Sequence, residues 1–223
     1  MKWIIKQYNK FAASFVELHA NLDAATNACY FPRFEGSLKN KKVLDLGCGE
    51  GKDLQYFKSQ GADVYGIDIS EKMIELAQKN LPNAQIKLGL FEKIPFEKDF
   101  FDVVASKYAL QTSGTIDPTY KEIYRVLKKG GTAVLIMTHP IRQFMEKKHS
   151  EKDYFKKEVV DSLLFGGKLT VQEESHTLLE YFSPYFFKHF ELIDYDEKFD
   201  PSNAEMVKGD SYPAFMLVKF RKK

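Results

Sequence analysis

Only two cysteines, Cys29 and Cys48, occur in the 223 residues. Two thiols in a chain of this size make no disulfide framework and fit a reducing compartment, so a cytoplasmic location is expected. No apolar run approaches the roughly 18 residues of a membrane span. The N-terminus lacks an apolar signal core followed by small residues, so no membrane partner is expected. Charge of either sign is also short: 33 basic against 31 acidic residues leave a net +2, too little to draw a nucleic acid. The five histidines and two cysteines show neither the Cys-x-x-Cys nor the His-Glu-x-x-His spacing of a metal site. With no internal repeat or low-complexity stretch, the length suits one α/β domain with a substantial core.

What is present centres on residues 41–53. Val43 to Leu46 read as a short buried strand, Gly47-Cys48-Gly49-Glu50-Gly51 as a glycine-rich turn, and Leu54 and Phe57 as the inner face of a following helix. Glycines let backbone approach a ligand closely, and a helix N-terminus offers free N–H groups. The third glycine comes one position earlier than in the dinucleotide fingerprint Gly-x-Gly-x-x-Gly. An acid, Asp45, stands two residues before the first glycine, which suits a ligand carrying an ammonium. Val64 to Ile67 read as a second strand ending in Asp68, 17 residues after Gly51. A carboxylate there can accept both hydroxyls of a ribose.

Strands and helices then alternate. Ser70 is placed to cap a helix with Met73, Ile74 and Ala77 inward. Gln85–Gly89 and Phe101–Ser106 read as strands three and four. A helix capped near Asp117, with Pro118 at its first position, is closed by Gly130-Gly131, and Thr132–Thr138 form strand five. Glu146–Asp153 read as a solvated helix face, Leu163–Gly167 as a turn, and Lys168–Glu173 as an edge strand. Thr177–His189 read as one helix, Phe190–Tyr195 and Phe215–Phe220 as strands six and seven. Repeated strand–helix units imply a parallel sheet with right-handed crossovers.

The two motifs, Val43–Gly51 and Gly61–Ser70, resemble those of the class I S-adenosylmethionine-dependent methyltransferases. Ile94-Pro95-Phe96, Phe101-Asp102-Val103-Val104, Tyr124–Gly131 and Thr138-His139-Pro140 are similar to its small-molecule, type 11-like branch. The resemblance implies a Rossmann-like α/β fold with a seven-stranded, mostly parallel sheet of order 3-2-1-4-5-7-6. Strand seven would be antiparallel, and helices would cover both faces. It implies one domain over 1–223, with 1–38 as a helical lid and 141–175 as a substrate-side insert. Tyr8, Phe11 and Tyr30 are the lid candidates; the alternative is that these aromatics pack on the sheet. The implied cofactor is S-adenosylmethionine, leaving as S-adenosylhomocysteine. Its implied site comprises Asp45, Gly47, Cys48, Gly49, Asp68, Ile69, Met73, Leu90, Phe91 and Ser106. Where the family often has an acid after the glycine of strand three, this chain has Gly89-Leu90-Phe91, so backbone groups of Leu90 and Phe91, or another residue, would have to meet the adenine amino group. Aromatic residues are abundant, 14% of the chain, and their faces can line a pocket for a cationic cofactor.

Methyl transfer is an in-line displacement that depends on positioning and needs no nucleophile triad. His139, at the end of strand five, is a candidate base for the acceptor's proton, or else a loop or capping residue. Tyr108 after strand four faces the methyl group or packs in the core. His176 reads as a helix cap. Asp117-Pro118-Thr119-Tyr120 is similar to the Asp-Pro-Pro-Tyr of amino-directed nucleic-acid methyltransferases but lies well past strand four, at a helix start. The expected partner is a small-molecule acceptor, with no nucleic acid, in a monomer or homodimer. Aminocarboxypropyl transfer from the same cofactor, or cofactor binding without catalysis, are the alternatives.

Overall fold

Why β1 (Lys42–Leu46) is apolar on both sides becomes clear from its neighbours. Leu44 and Leu46 point into one core layer and Val43 into another. A strand buried on both faces has no solvent side to alternate toward. The structure is a computed structural model and describes residues 2–19, 24–165, 167–198 and 212–223. Two helices lead in, α1 (Lys2–His19) and α2 (Ala24–Tyr30), the latter continued by a 3-10 turn over Phe31–Arg33. After β1 come α3 (Lys52–Ser59), β2 (Asp63–Asp68), α4 (Glu71–Asn80), β3 (Gln85–Leu88), β4 (Phe101–Lys107) and α5 (Ile116–Val126). Then follow β5 (Leu127–Thr138), α6 (Pro140–Met145), β6 (Val159–Leu164), β7 (Leu169–Glu174), α7 (Leu178–Tyr181), α8 (Pro184–His189), β8 (Phe190–Lys198) and β9 (Phe215–Lys222).

Seven strands form one sheet in the order β3-β2-β1-β4-β5-β9-β8. β9 runs antiparallel to both neighbours, and β1 to β5 are parallel. This is the 3-2-1-4-5-7-6 order with a hairpin, β6–β7, inserted before the last two strands. Leu54 and Phe57 of α3, with Ile74 and Ala77 of α4, cover one face. Tyr120 and Ile123 of α5, Tyr181 of α7 and Phe186 of α8 cover the other. No helix among the described residues is long and apolar enough to cross a membrane.

Several local expectations change. The α5 helix begins at Ile116 with Thr115 as N-cap, so Asp117 lies inside the first turn and accepts a hydrogen bond from Ser183 Oγ at 2.5 Å. Pro118 is tolerated there because first-turn N–H groups have no partner within the helix. Gly130-Gly131 do not close that helix, which ends at Val126. They sit in an irregularity of β5 between its Leu127 and Thr132 pairings with β4. The stretch expected as one helix from Thr177 is two. Pro184 brings no N–H, Ser183 caps α8 by accepting from Phe186 N–H, and Thr177 and Glu180 form a capping box on α7.

The run from Glu146 is not a solvated helix face. Glu146 is paired with Arg142 of α6 at 2.9 Å, and Lys147 is buried, its ammonium donating to the carbonyls of Asp153 and Lys156. Lys168–Glu173 does alternate as a strand, but it is half of a hairpin with β6, a strand additional to those expected. Residues 1 and 20–23 of the expected helical lid, and Gly166 of the expected turn, lie outside the described residues.

Candidate functional site

At the carboxyl end of β1 the chain turns through Gly47 (φ 76°), Gly49 (φ 52°) and Gly51 (φ 84°), the last serving as N-cap of α3. Gly47 is forced by space as well as by φ. A Cβ there would lie 2.3 Å from the Cβ of Ala109, in the turn after β4. Gly47 and Cys48 both donate N–H to Ile67 O, at 2.9 and 3.0 Å. The Asp68 carboxylate fixes the rest: Oδ2 accepts from Gly49 N–H at 3.0 Å and Oδ1 from Ser70 N–H at 2.9 Å. Ser70 in turn caps α4 and donates its hydroxyl to Asn9 Oδ1 on α1 at 2.6 Å.

Over this corner lies a cavity of about 650 Å³, counted with its open mouth. Gly47, Gly49, Asp68, Ile69 and Met73 line it, roofed by Tyr8 and Phe15 of α1. Phe91, Tyr108 and Thr112 complete the wall. A hollow of about 340 Å³ shares Gly47, Gly49 and Lys107 with it and adds Asp45, Cys48 and Asp53. Another of about 490 Å³ shares Ile69 and Phe91 and adds Gly89 and Leu90. Together they make a trough across the carboxyl ends of the strands, the place where open α/β sheets bind ligands.

Its electrostatics are unusual. Asp45, Glu50, Asp53 and Asp68 are 3, 7, 7 and 8% exposed, four acids around one turn. Lys107 Nζ lies among them, 2.8 Å from Asp53 Oδ1 and 3.1 Å from Asn27 Oδ1 of α2. Burial, then repulsion by Asp53, pushes the Asp45 carboxyl well above the usual carboxylate range, with Lys107 pulling the other way. Burial pushes Asp68 up to about 6 against the pull of its N–H bonds from Ser70 and Gly49. Burial also raises the Cys48 thiol. The described residues hold no converging set of acids, histidines and cysteines for a metal.

Most residues expected at a ligand site are brought together here. Ser106 lines none of the three hollows; it is buried, and its hydroxyl donates to Leu46 O at 2.8 Å, tying β4 to β1. Tyr108 lines the main cavity with a left-handed backbone, φ 53°, and its hydroxyl lies 3.4 Å from Thr26 Oγ1 of α2. Such a conformation costs about 1–3 kcal/mol in a residue other than glycine and clusters at functional sites. His139 is placed otherwise. Its Nδ1 accepts from Ile141 N–H at 3.0 Å, capping α6, and its Nε2 lies 3.0 Å from Glu197 Oε2. It is 1% exposed, and burial lowers its pKa despite Glu197. With Nδ1 as acceptor, the proton sits on Nε2, toward Glu197. His176 precedes the α7 cap, Thr177; its Nε2 lies 3.1 Å from Gln111 O.

Sequence reasoning missed Glu50, Asp53, Lys107 and Thr112. Asp53, in the first turn of the helix after the glycines, was discoverable. Lys107 was not, because its place depends on the pairing of β4 with β1, which sets Ala105 beside Asp45 and Lys107 two residues further along the same face.

The strand order, the antiparallel β9, the glycine turn after β1 and the acid closing β2 together define the fold of the class I S-adenosylmethionine-dependent methyltransferases. Residues 44–135 match the family described as a methyltransferase domain. Among curated relatives, a Lactococcus lactis demethylmenaquinone methyltransferase is 40% identical over 114 residues, covering 47% of this chain and 45% of that protein. An uncharacterised Haemophilus influenzae protein is 34% identical over 143 residues, covering 60 and 55%. The chain thus spans about half the length of the curated relatives it matches. An S-adenosylmethionine-dependent methyltransferase from Mesorhizobium loti superposes with a TM-score of 0.71 at 21% identity, over 92% of this chain and all of that one; this likeness is one of fold.

Proposed function

We propose that this chain transfers the methyl group of S-adenosylmethionine to a small-molecule acceptor and releases S-adenosylhomocysteine. The observation that carries the reading is the ring of four buried acids with Lys107 set around the glycine turn. That charge pattern fits a ligand with an ammonium, a carboxylate and a second cationic centre better than it fits a pyrophosphate. In this reading Asp45 and the backbone of Gly47–Gly49 receive the ammonium, and Asp68 accepts from the ribose hydroxyls. Ile69, Met73, Leu90 and Phe91 enclose the adenine, whose amino group turns to backbone carbonyls in place of the missing acid after Gly89. Tyr8, Phe15 and Tyr108 present aromatic faces toward the cationic end, a favourable placement for a sulfonium. When bound, the cofactor supplies an electrophilic methyl carbon; the protein supplies alignment and exclusion of water.

The N-terminal helices are assigned as the cover. Gln7 of α1 bridges to the backbone of Gln172 on β7 in both directions, at 3.0 and 2.8 Å, and Asn9 accepts from Ser70. Of the lid candidates, Tyr8 roofs the cavity and Phe11 is half-buried beside it. Tyr30 lies fully buried against Phe31 and Phe34 and lines none of the three hollows. The hairpin β6–β7 in the 141–175 insert closes the acceptor side. The near-neutral charge supports a small-molecule acceptor over nucleic acid, and two free thiols suit work in the cytoplasm. Monomer and homodimer are both compatible with the reading.

Mass spectrometry of acceptors incubated with the protein and cofactor tests the reaction. A gain of one methyl group supports the proposal, a gain of an aminocarboxypropyl group replaces it, and tight cofactor binding with no transfer over a broad panel leaves a binding protein. Replacing His139 by alanine is expected to remove about 1 kcal/mol of stability through the lost cap while leaving the calorimetric affinity for S-adenosylhomocysteine within twofold. A sharp loss of turnover on a methylated acceptor in the folded variant would make His139 the base as well as the cap.

A further inference from the structure

The amino-acid end of S-adenosylmethionine carries a carboxylate, and the wall around the glycine turn is a poor place for one. Asp45, Glu50 and Asp53 are buried there. A helix N-terminus ordinarily welcomes an anion. That of α3 is flanked by two of these acids, Glu50 just before its Gly51 N-cap and Asp53 in its first turn. Among the described residues, Lys52 and Lys107 are the cations that line the three hollows. Lys52 is half-buried and lines only the hollow of about 340 Å³. Lys107 lines that hollow and the main cavity, so it stands where the two join. Its side chain is 8% exposed. Asp53 Oδ1 at 2.8 Å and Asn27 Oδ1 at 3.1 Å fix the direction of its ammonium. The rings of Tyr30 and Phe31 lie 6.0 and 5.7 Å from it.

We infer, on the proposed cofactor reading, that Lys107 receives the carboxylate of the cofactor's amino-acid end, and that the protein thereby selects S-adenosylmethionine over its decarboxylated form. Asn27 is a neutral acceptor, so a ligand carboxylate brings the ammonium a full opposite charge that the amide lacks. Asp53 remains the partner that keeps the ammonium charged and aimed. The preference has a sign that the rest of this wall does not supply. A ligand without the carboxylate is the more cationic of the two, and buried acids alone would favour it. Selectivity for the carboxylate has to come from a cation. The chemistry is affected as well. With the ammonium at Asp45 and the carboxylate at Lys107, the arm that bears them is held by two contacts, and the adenosyl group is held at Asp68. The methyl group is then the substituent of the sulfur without an anchor, which favours its transfer over that of the aminocarboxypropyl arm.

The test needs no known acceptor. Wild-type protein and variants are titrated calorimetrically with S-adenosylhomocysteine and with its decarboxylated form, which keeps the ammonium, the ribose and the adenine. The wild type is expected to bind S-adenosylhomocysteine about thirtyfold more tightly, the worth of one charge-assisted contact. Removing Lys107 alone would leave Asp53 buried and unpaired. The comparison is therefore between Asp53→Asn and the double variant Asp53→Asn, Lys107→Met, which loses one charge of each sign. Thermal unfolding checks the fold of each. Asp53→Asn keeps an oxygen for the ammonium and should hold the preference within about threefold. The double variant should lose about tenfold of it or more, while binding the decarboxylated ligand within about threefold of Asp53→Asn. Lys52→Met should leave the preference unchanged. No preference in the wild type, a preference that survives in the double variant, or one lost in Asp53→Asn or Lys52→Met with Lys107 intact overturns the inference. Failure of the wild type to bind either ligand overturns the cofactor reading instead.

Discussion

Asp68→Ala is expected to weaken S-adenosylmethionine binding a hundredfold or more. The carboxylate is assigned two charge-assisted hydrogen bonds from the ribose, each about 1.5–3 kcal/mol, and it also holds Gly49 and Ser70 by their N–H groups. Asp68→Ala therefore removes the ligand contact and loosens the turn that receives the ammonium, whereas Asp68→Asn keeps the shape and should fall between. The pH dependence has a definite sign. The folded pKa of about 6 lies above the ordinary 3.8, so the native protein without ligand holds the proton more tightly than the unfolded chain does. That contribution to stability is complete below 3.8 and is lost as pH rises through about 6. Cofactor affinity runs the opposite way: it should rise from about pH 5 to about pH 7 as the carboxylate ionises, with proton release on binding near the folded pKa. Titrations in buffers of different ionisation enthalpy measure that proton. Affinity independent of pH over this range, or unchanged in a folded Asp68→Ala protein, would remove the ribose from Asp68.

The second large effect is expected at Gly47. A side chain there meets two obstacles. The left-handed backbone (φ 76°) costs an L-residue about 1–2 kcal/mol. A Cβ only 2.3 Å from that of Ala109 adds the roughly 1–3 kcal/mol of overpacking. Gly47→Ala should thus lose about 2–5 kcal/mol, a large part of the 5–15 kcal/mol of a typical domain, and binding with it, since the turn must shift. The double variant Gly47→Ala, Ala109→Gly should recover the packing part and leave the backbone part. Denaturant unfolding of the three proteins measures both. Full stability in Gly47→Ala would mean that the β1 and β4 turns do not approach as closely as described.

These two residues were legible in the sequence because their roles are local. Gly47 belongs to a strand–turn–helix pattern that glycine spacing announces, and Asp68 closes a short apolar strand. The same locality made the central sheet readable, since strands buried on both faces appear as continuous apolar runs. What escaped was set by pairing. β6 reads Val-Val-Asp-Ser-Leu-Leu, without clean alternation, and becomes a strand only beside β7. Lys107 gains meaning from elements far away in the chain, through Asp53 and Asn27. His139 carries a positional signal beside its chemical one. The Pro140 that follows it marks a helix start, and the imidazole serves that helix. Ser183-Pro184 gave the same kind of notice that the helix expected from Thr177 would break.

The measurement that bears most directly on the central claim is calorimetric titration of the purified protein with S-adenosylmethionine and, separately, with S-adenosylhomocysteine. Micromolar binding of both, about −8 kcal/mol, is expected, lost in Asp68→Ala protein that still unfolds cooperatively. A properly folded wild-type protein that binds neither would contradict it.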